Sequence, residues 1–429
     1  NAWNISGANA GTLNATTAFS GIENVSGGTG SDAFTLSGTG NISGTISGGA
    51  SVDTLTGKDV NSTWAINALD AGTLSDANGD SAFTGIENVT GGIADDSFTV
   101  NGALASISGT ISGGGGAGAD SLTSNSGAFA DWLIAGQNAG LLQHGPIATN
   151  FAGIENLNGG ASGNNFRVVG NGNISGTISG GVGADALFGN NLNSTWAINA
   201  PNAGTLTDAN GANAFTGIEN VTGGTGNDAF TLSGAGSISG TISGGAGTDT
   251  LTGNNIDSTW AIGANVANAG TLTDANGVNI FLGIENVSGG TANDAFTLSN
   301  AGNISGTISG GGGAGVDTLT GNTIDSTWTI NAANAGTLTD ANGANAFTGI
   351  EHVTGGTGSD AFTLSGTGNI SGTISGGGGA GVDTLTGNNI NSAWAINAAD
   401  AGTLTDANGA NAFGGIENVT GGTGNDAFT

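Results

Sequence analysis

Twelve aspartates of this 429-residue chain recur in short glycine-rich loops, at a spacing that could hold cations. Around Asp228 and Asp249 the loops read GGTGNDAFT and GGAGTDTLT, with the two aspartates 21 residues apart. The first loop of the pair carries Asp32, Asp96, Asp228, Asp294, Asp360 and Asp426 in successive copies. The second carries Asp53, Asp120, Asp185, Asp249, Asp317 and Asp383. Carboxylates held one strand spacing apart repel each other unless a cation lies between them. Carboxylate oxygens with backbone carbonyls freed by the glycines are the hard ligands that Ca²⁺ takes. The expectation is Ca²⁺ between the two loops wherever both aspartates are present. The third pair keeps Asp185 but is expected to have Asn165 in place of its first aspartate.

The rest of the composition agrees with a partner of positive charge. Thirty-two acidic residues face only Lys58 and Arg167, for a formal charge of −30. Such a surface repels nucleic acid and anionic membranes. No run approaches the roughly 18 apolar residues of a membrane helix. With no cysteine, disulfides and thiol chemistry are excluded. With no methionine even at position 1, the chain reads as a mature product or a window from a longer one.

The elements that must position these loops follow from internal repetition. Tryptophans fall at 3, 64, 132, 196, 260, 328 and 394, and glutamates at 23, 87, 155, 219, 285, 351 and 417, each within Gly-Ile-Glu. The unit is therefore about 66 residues, in the range of repeat architectures. Its copies run 1–60, 61–128, 129–192 (the divergent one), 193–256, 257–324, 325–390 and the partial 391–429, as one continuous solenoid. Each unit divides into thirds of 20 to 23 residues, for example NSTWAINAPNAGTLTDANGANAF, TGIENVTGGTGNDAFTLSGAG and SISGTISGGAGTDTLTGNNI. Every third holds two short, near-alternating apolar runs bounded by Gly, Asn and Asp, which read as strands and turns. The expected fold is an all-β, right-handed parallel β-solenoid with about 22 residues per coil and three coils per repeat. Coils rising about 4.8 Å each would give a rod of about 95 Å.

The nonapeptides GGTGSDAFT, GGTGNDAFT, GGAGTDTLT and GGAGVDTLT resemble the calcium-binding RTX repeats, whose pattern is G-G-x-G-x-D-x-U-x. That resemblance implies a Ca²⁺-bound β-roll in a secreted bacterial protein or giant adhesin. The chain departs from it in three ways. The nonapeptides are not tandem, one third in three lacks them, and the third glycine is replaced by Ser51, Ala94 and Ala292. The longer coil is similar to β-helical repeats of large bacterial surface proteins.

Other residues favour structural roles. The tryptophans are expected in the core, with their N–H groups on Asn or Ser partners. The glutamates recur about 14 Å apart on successive repeats, too far for paired acid/base work, so solvated or loop-bonding glutamates are expected. Asp208-Ala-Asn210-Gly211, with Asp76 to Asp80 as its most acidic copy, is expected to be an Asx turn. The triplets at Asn61, Asn88, Asn173, Asn220 and Asn418 can accept glycans where the machinery exists.

Near-identical units build length and stiffness, so the expected function is a structural fibre or stalk segment, extracellular or on the cell surface. Its expected partners are further coils, by end-to-end self-association or by continuation of the chain. The alternatives are a ligand- or ice-binding adhesin repeat region and a β-helix polysaccharide-acting enzyme. For an enzyme, the departure from the repeat at Gln143, His144, Pro146 and Arg167 is the place to look.

Overall fold

The computed structural model describes residues 1–263 and 266–429. Every regular element among the described residues is a β-strand. The chain divides into two compact units, Asn1–Leu192 with Ala203–Val221 and Asn193–Asn202 with Thr222–Thr429. Both are parallel β-solenoids built from the same parts.

In the second unit, strands on either side of a glycine-aspartate loop enter different sheets. Asn286–Gly290 joins one and Asp294–Leu298 the other. Strands of successive turns then pair in parallel and in register. In one sheet Phe230 lies opposite Leu251, Leu251 opposite Val287, Val287 opposite Ile308, and Ile308 opposite Phe347. In the other, the column runs Trp260, Phe296, Leu319, Val353, Ile374 and Phe413. All of these side chains are buried. The first unit repeats the column as Trp64, Phe98, Leu122, Leu157, Ile178 and Phe215. The period-two alternation puts these residues inside and leaves Thr, Ser and Asn between them facing out.

The tryptophan third is laid out differently from a coil. Ser326–Ala332, Ala335–Asp340 and Gly343–Thr348 form a three-stranded antiparallel meander within a single sheet. Its last strand pairs with the preceding coil, through Ile308 and Phe347. Its first pairs with the following one, through Trp328 and Phe362. The meander therefore takes half a turn where a whole coil was expected, and the next repeat's strands change sheets. Leu319, on the second strand of its coil, lies opposite Val353, on the first strand after the meander.

Coil and hairpin show the same alternating apolar pattern, so periodicity alone does not separate them. Turn chemistry does. Ala333-Asn334 and Ala341-Asn342 are two-residue hairpin loops; Asn334 takes the left-handed φ 52 in the first, and Gly343 takes φ 140 directly after the second. Gly336 is needed beside them, because a Cβ there would strike the Thr329 carbonyl and come within 2.9 Å of the Phe347 ring.

Candidate functional site: the aspartate stacks

The glycine-aspartate loops form the corner between the two sheets, where backbone N–H groups lack strand partners and must find others. The repeat supplies them with carboxylates. Ser194 donates its N–H and its hydroxyl to Asp228 Oδ1 at 2.9 and 2.5 Å. The Asp228 N–H donates to Asp249 Oδ1 at 2.7 Å. The Asp249 N–H donates to Glu285 Oε2 at 2.8 Å, and Asn268 Nδ2 donates to Glu285 Oε1 at 2.8 Å. At the other end, Trp196 Nε1 donates to the Ser194 hydroxyl at 2.9 Å. A chain of hydrogen bonds thus runs from core tryptophan through serine, two aspartates and glutamate across successive coils.

The stack recurs throughout. Asp32 N–H donates to Asp53, Asp96 to Asp120, Asp294 to Asp317 and Asp360 to Asp383, at 2.7 to 2.8 Å. Asp53, Asp120, Asp185, Asp317 and Asp383 in turn donate to Glu87, Glu155, Glu219, Glu351 and Glu417, at 2.7 to 2.9 Å. Asp426 accepts from the Ser392 hydroxyl at 2.5 Å. Of the two expected roles, solvated or loop-bonding, the glutamates take the second. The tryptophan partner is a serine in five copies, at 64, 196, 260, 328 and 394.

In the third repeat the structure corrects the expected position. Its loop GGASGNNF has the same length as GGTGNDAF, so Asn164 occupies the aspartate slot, opposite Ala130, and Asn165 takes the place of Ala229 and faces Ala186. Asn164 N–H donates to Asp185 Oδ1 at 2.7 Å, as the aspartates do elsewhere. Ala130 stands where the other copies have serine, and both Trp132 Nε1 and Asn164 Oδ1 are buried without a partner. Ala130→Ser is expected to serve both atoms and to stabilise this repeat by about 1 kcal/mol. Slower local hydrogen exchange around Trp132 is the readout.

Burial sets the electrostatics. Loss of solvation pushes the Asp249 and Asp317 carboxyls up to about 6, with Asp228 and Glu285, or Asp294 and Glu351, adding repulsion against the pull of backbone N–H donors. Asp120 rises to about 6 for the same reasons. Carboxyls raised in the folded state stabilise it fully below their unfolded value and lose that contribution as pH climbs through about 6. The melting temperature is therefore expected to rise from pH 8 to pH 5, against the usual acid trend. A melt of the full chain across that range checks this, and Asp249→Asn with Asp317→Asn should flatten the slope.

As cation ligands these residues are half engaged: the Oδ2 atoms of Asp228 and Asp249 are buried with no hydrogen bond, whereas their other oxygens are taken. The Oδ1 atoms of both aspartates in a stack already accept N–H or O–H donors. Among the described residues, no three acidic or histidine side chains converge on a point where an ion could sit. Ca²⁺ takes six to eight oxygens. The stack has the form of a hydrogen-bonded fastener.

A second fastener clasps the meander. Asp208, Asp274, Asp340 and Asp406 each make the expected Asx turn, accepting at Oδ1 from the N–H two residues on, at 2.6 to 2.8 Å. Their Oδ2 atoms accept from Asn190, Asn254, Asn322 and Asn388, at 2.6 to 2.8 Å. Where the first repeat meets the second, Lys58 and Asp76 take these places as an ion pair at 2.7 Å, with both side chains 3% exposed. In the third, Ser124 and His144 Nε2 meet at 2.7 Å, and burial lowers the His144 pKa. Arg167 pairs with Asp131 at 3.2 Å and lies 4.3 Å from the Phe188 ring centre. Of the residues that set the third repeat apart, His144 and Arg167 are thus each engaged in a structural contact.

No family model matches the chain. Among curated proteins it is similar to outer membrane protein A of Rickettsia rickettsii, 37% identical over 224 residues. The match covers 47% of this chain and 10% of that protein, so the chain corresponds to a small part of its relative's length.

Proposed function

We propose that the chain is a structural repeat segment of a bacterial cell-surface or secreted filament protein. The observation that carries this reading is that repeat after repeat spends the same polar residues on the same internal partners, from Trp196-Ser194-Asp228-Asp249-Glu285 to Trp328-Ser326-Asp360-Asp383-Glu417. Such repetition multiplies coils and creates no singular site. The name of the relative supports a surface location. End-to-end self-association through strand edges is the corresponding partner proposal. Glycosylation would act at exposed sequons such as Asn61, whereas Asn173 is buried. Antibody labelling of intact source cells tests the location, and unlabelled intact cells with labelled lysates would refute it. Pulling the full chain should release length in equal steps of one repeat, about 66 residues or some 230 Å. A single all-or-none extension would speak against stacked repeats.

One observation favours a second reading, an adhesin repeat that binds a periodic surface such as ice. Thr231, Thr252, Ser288, Ser309 and Thr348 lie in register on neighbouring strands, with side chains that alternate with the buried column. The meander continues this row, although the loop row is interrupted. Thermal hysteresis of the purified chain tests it, and ordinary freezing behaviour removes it.

A further inference from the structure

The first side chain of each stack fills the same slot, yet its outer atom does not meet the same neighbour. Asp96 Oδ2 accepts the Gly92 N–H and Asp294 Oδ2 the Gly290 N–H, both at 2.7 Å. The Oδ2 atoms of Asp228 and Asp360 are buried and receive no hydrogen bond. In the third repeat the outer atom is Asn164 Nδ2, which donates to the Gly180 carbonyl at 3.3 Å and to Asp185 Oδ1 at 3.0 Å.

The surroundings of these slots match. A Cβ on Gly159 would strike both Asn164 Nδ2 and the Gly180 carbonyl oxygen. A Cβ on Gly223 would strike Asp228 Oδ2 and the Gly244 carbonyl, and one on Gly355 would strike Asp360 Oδ2 and the Gly376 carbonyl. The outer oxygens of Asp228 and Asp360 therefore lie where Asn164 places a donor, beside a carbonyl oxygen. Asp96 and Asp294 have the same neighbour in the Gly113 and Gly310 carbonyls, and differ in that the Gly92 and Gly290 N–H groups reach their outer oxygens. An acceptor buried against an acceptor is costly, and a donor in its place removes the cost.

We infer that the stacks contain two kinds of slot, a carboxylate slot at Asp96 and Asp294 and an amide-accepting slot at Asn164, Asp228 and Asp360, and that hydrogen bonds alone, with no cation, hold the coils together there. At Asp228 and Asp360 an amide keeps the serine contacts through its carbonyl oxygen and gains a bond to the glycine carbonyl. At Asp96 and Asp294 it would set an N–H₂ against the N–H of Gly92 or Gly290.

The test compares Asp228→Asn and Asp360→Asn with Asp96→Asn and Asp294→Asn in the full chain. Each variant is melted with chelator and with millimolar Ca²⁺, and local opening is followed by hydrogen exchange. The first pair should open about five- to tenfold less often, the equivalent of one neutral hydrogen bond. The second pair should open more often by a similar factor, and Ca²⁺ should shift none of the melts. If Asp96→Asn or Asp294→Asn fails to fold, the first pair decides alone. Destabilisation of Asp228→Asn and Asp360→Asn overturns the assignment of slots. A Ca²⁺-dependent rise in the wild-type melt that these variants lose overturns the cation-free fastening.

Discussion

Lys58→Ala is expected to destabilise the second repeat by about 3–5 kcal/mol, because it leaves a buried carboxylate without its counter-charge. Asp76 and Lys58 are each 3% exposed on their side chains and 2.7 Å apart. Asp76 Oδ1 is already committed to the Asn78 N–H at 2.7 Å. The other repeats show how to remove the charge without that penalty. Asn190, Asn254, Asn322 and Asn388 donate an amide to the equivalent aspartates. Lys58→Asn is therefore expected to keep the clasp and to stay within about 1 kcal/mol of wild type, since a neutral hydrogen bond replaces the ion pair. Because each repeat contacts only its neighbours, the damage in Lys58→Ala should remain local. Hydrogen exchange should lose protection around 54–84 while the distant repeats are unchanged. Equal effects of the alanine and asparagine variants would refute the argument.

Trp328→Ala is expected to cost about 3–5 kcal/mol, through lost burial and a cavity between coils. The indole is fully buried, stacks on Phe362 at 5.4 Å between ring centres and meets Phe347 edge-on at 5.8 Å. Its N–H also anchors Ser326, whose hydroxyl reaches Asp360 at 2.5 Å. Truncation thus loosens the core and the aspartate stack together. Trp328→Phe keeps most of the apolar volume but loses the N–H, so it should cost less and act mainly on exchange at the Asp360 loop. If the two variants damaged that loop equally, the indole N–H would have no part in the stack.

Much of this architecture is legible in the residue pattern, for physical reasons. Trp260, Phe296 and Leu319 fall at matching phases of successive thirds, and stacking them is what a solenoid core requires. The Asx turns at Asp208 and its counterparts follow from a short acceptor two residues before an N–H. The meander was not legible from periodicity, because a hairpin buries alternate residues just as a coil does. Nor was the link from Asp249 to Glu285, since the bond joins side chain to backbone across coils that only the fold brings together. Paired aspartates in glycine loops suggested a cation. What spacing could not show is that each carboxylate faces the N–H of the coil beside it. Asn164 rather than Asn165 was legible in the sequence, because GGASGNNF and GGTGNDAF are equally long and two adjacent asparagines only blur which one stands in the aspartate's place.

The central claim is that carboxylates fasten the coils by accepting backbone N–H groups. Native-state hydrogen exchange at the Asp228, Asp249, Asp360 and Asp383 amides tests it most directly. The Asp228, Asp249 and Asp383 amides lie in loops and Asp360 opens a strand, and they donate at 2.7 to 2.8 Å to carboxylates of the neighbouring coil. The account predicts protection equal to that of the adjoining strands, with or without chelator. Exchange at the rate of open loops, or protection that appears only with Ca²⁺, would contradict it.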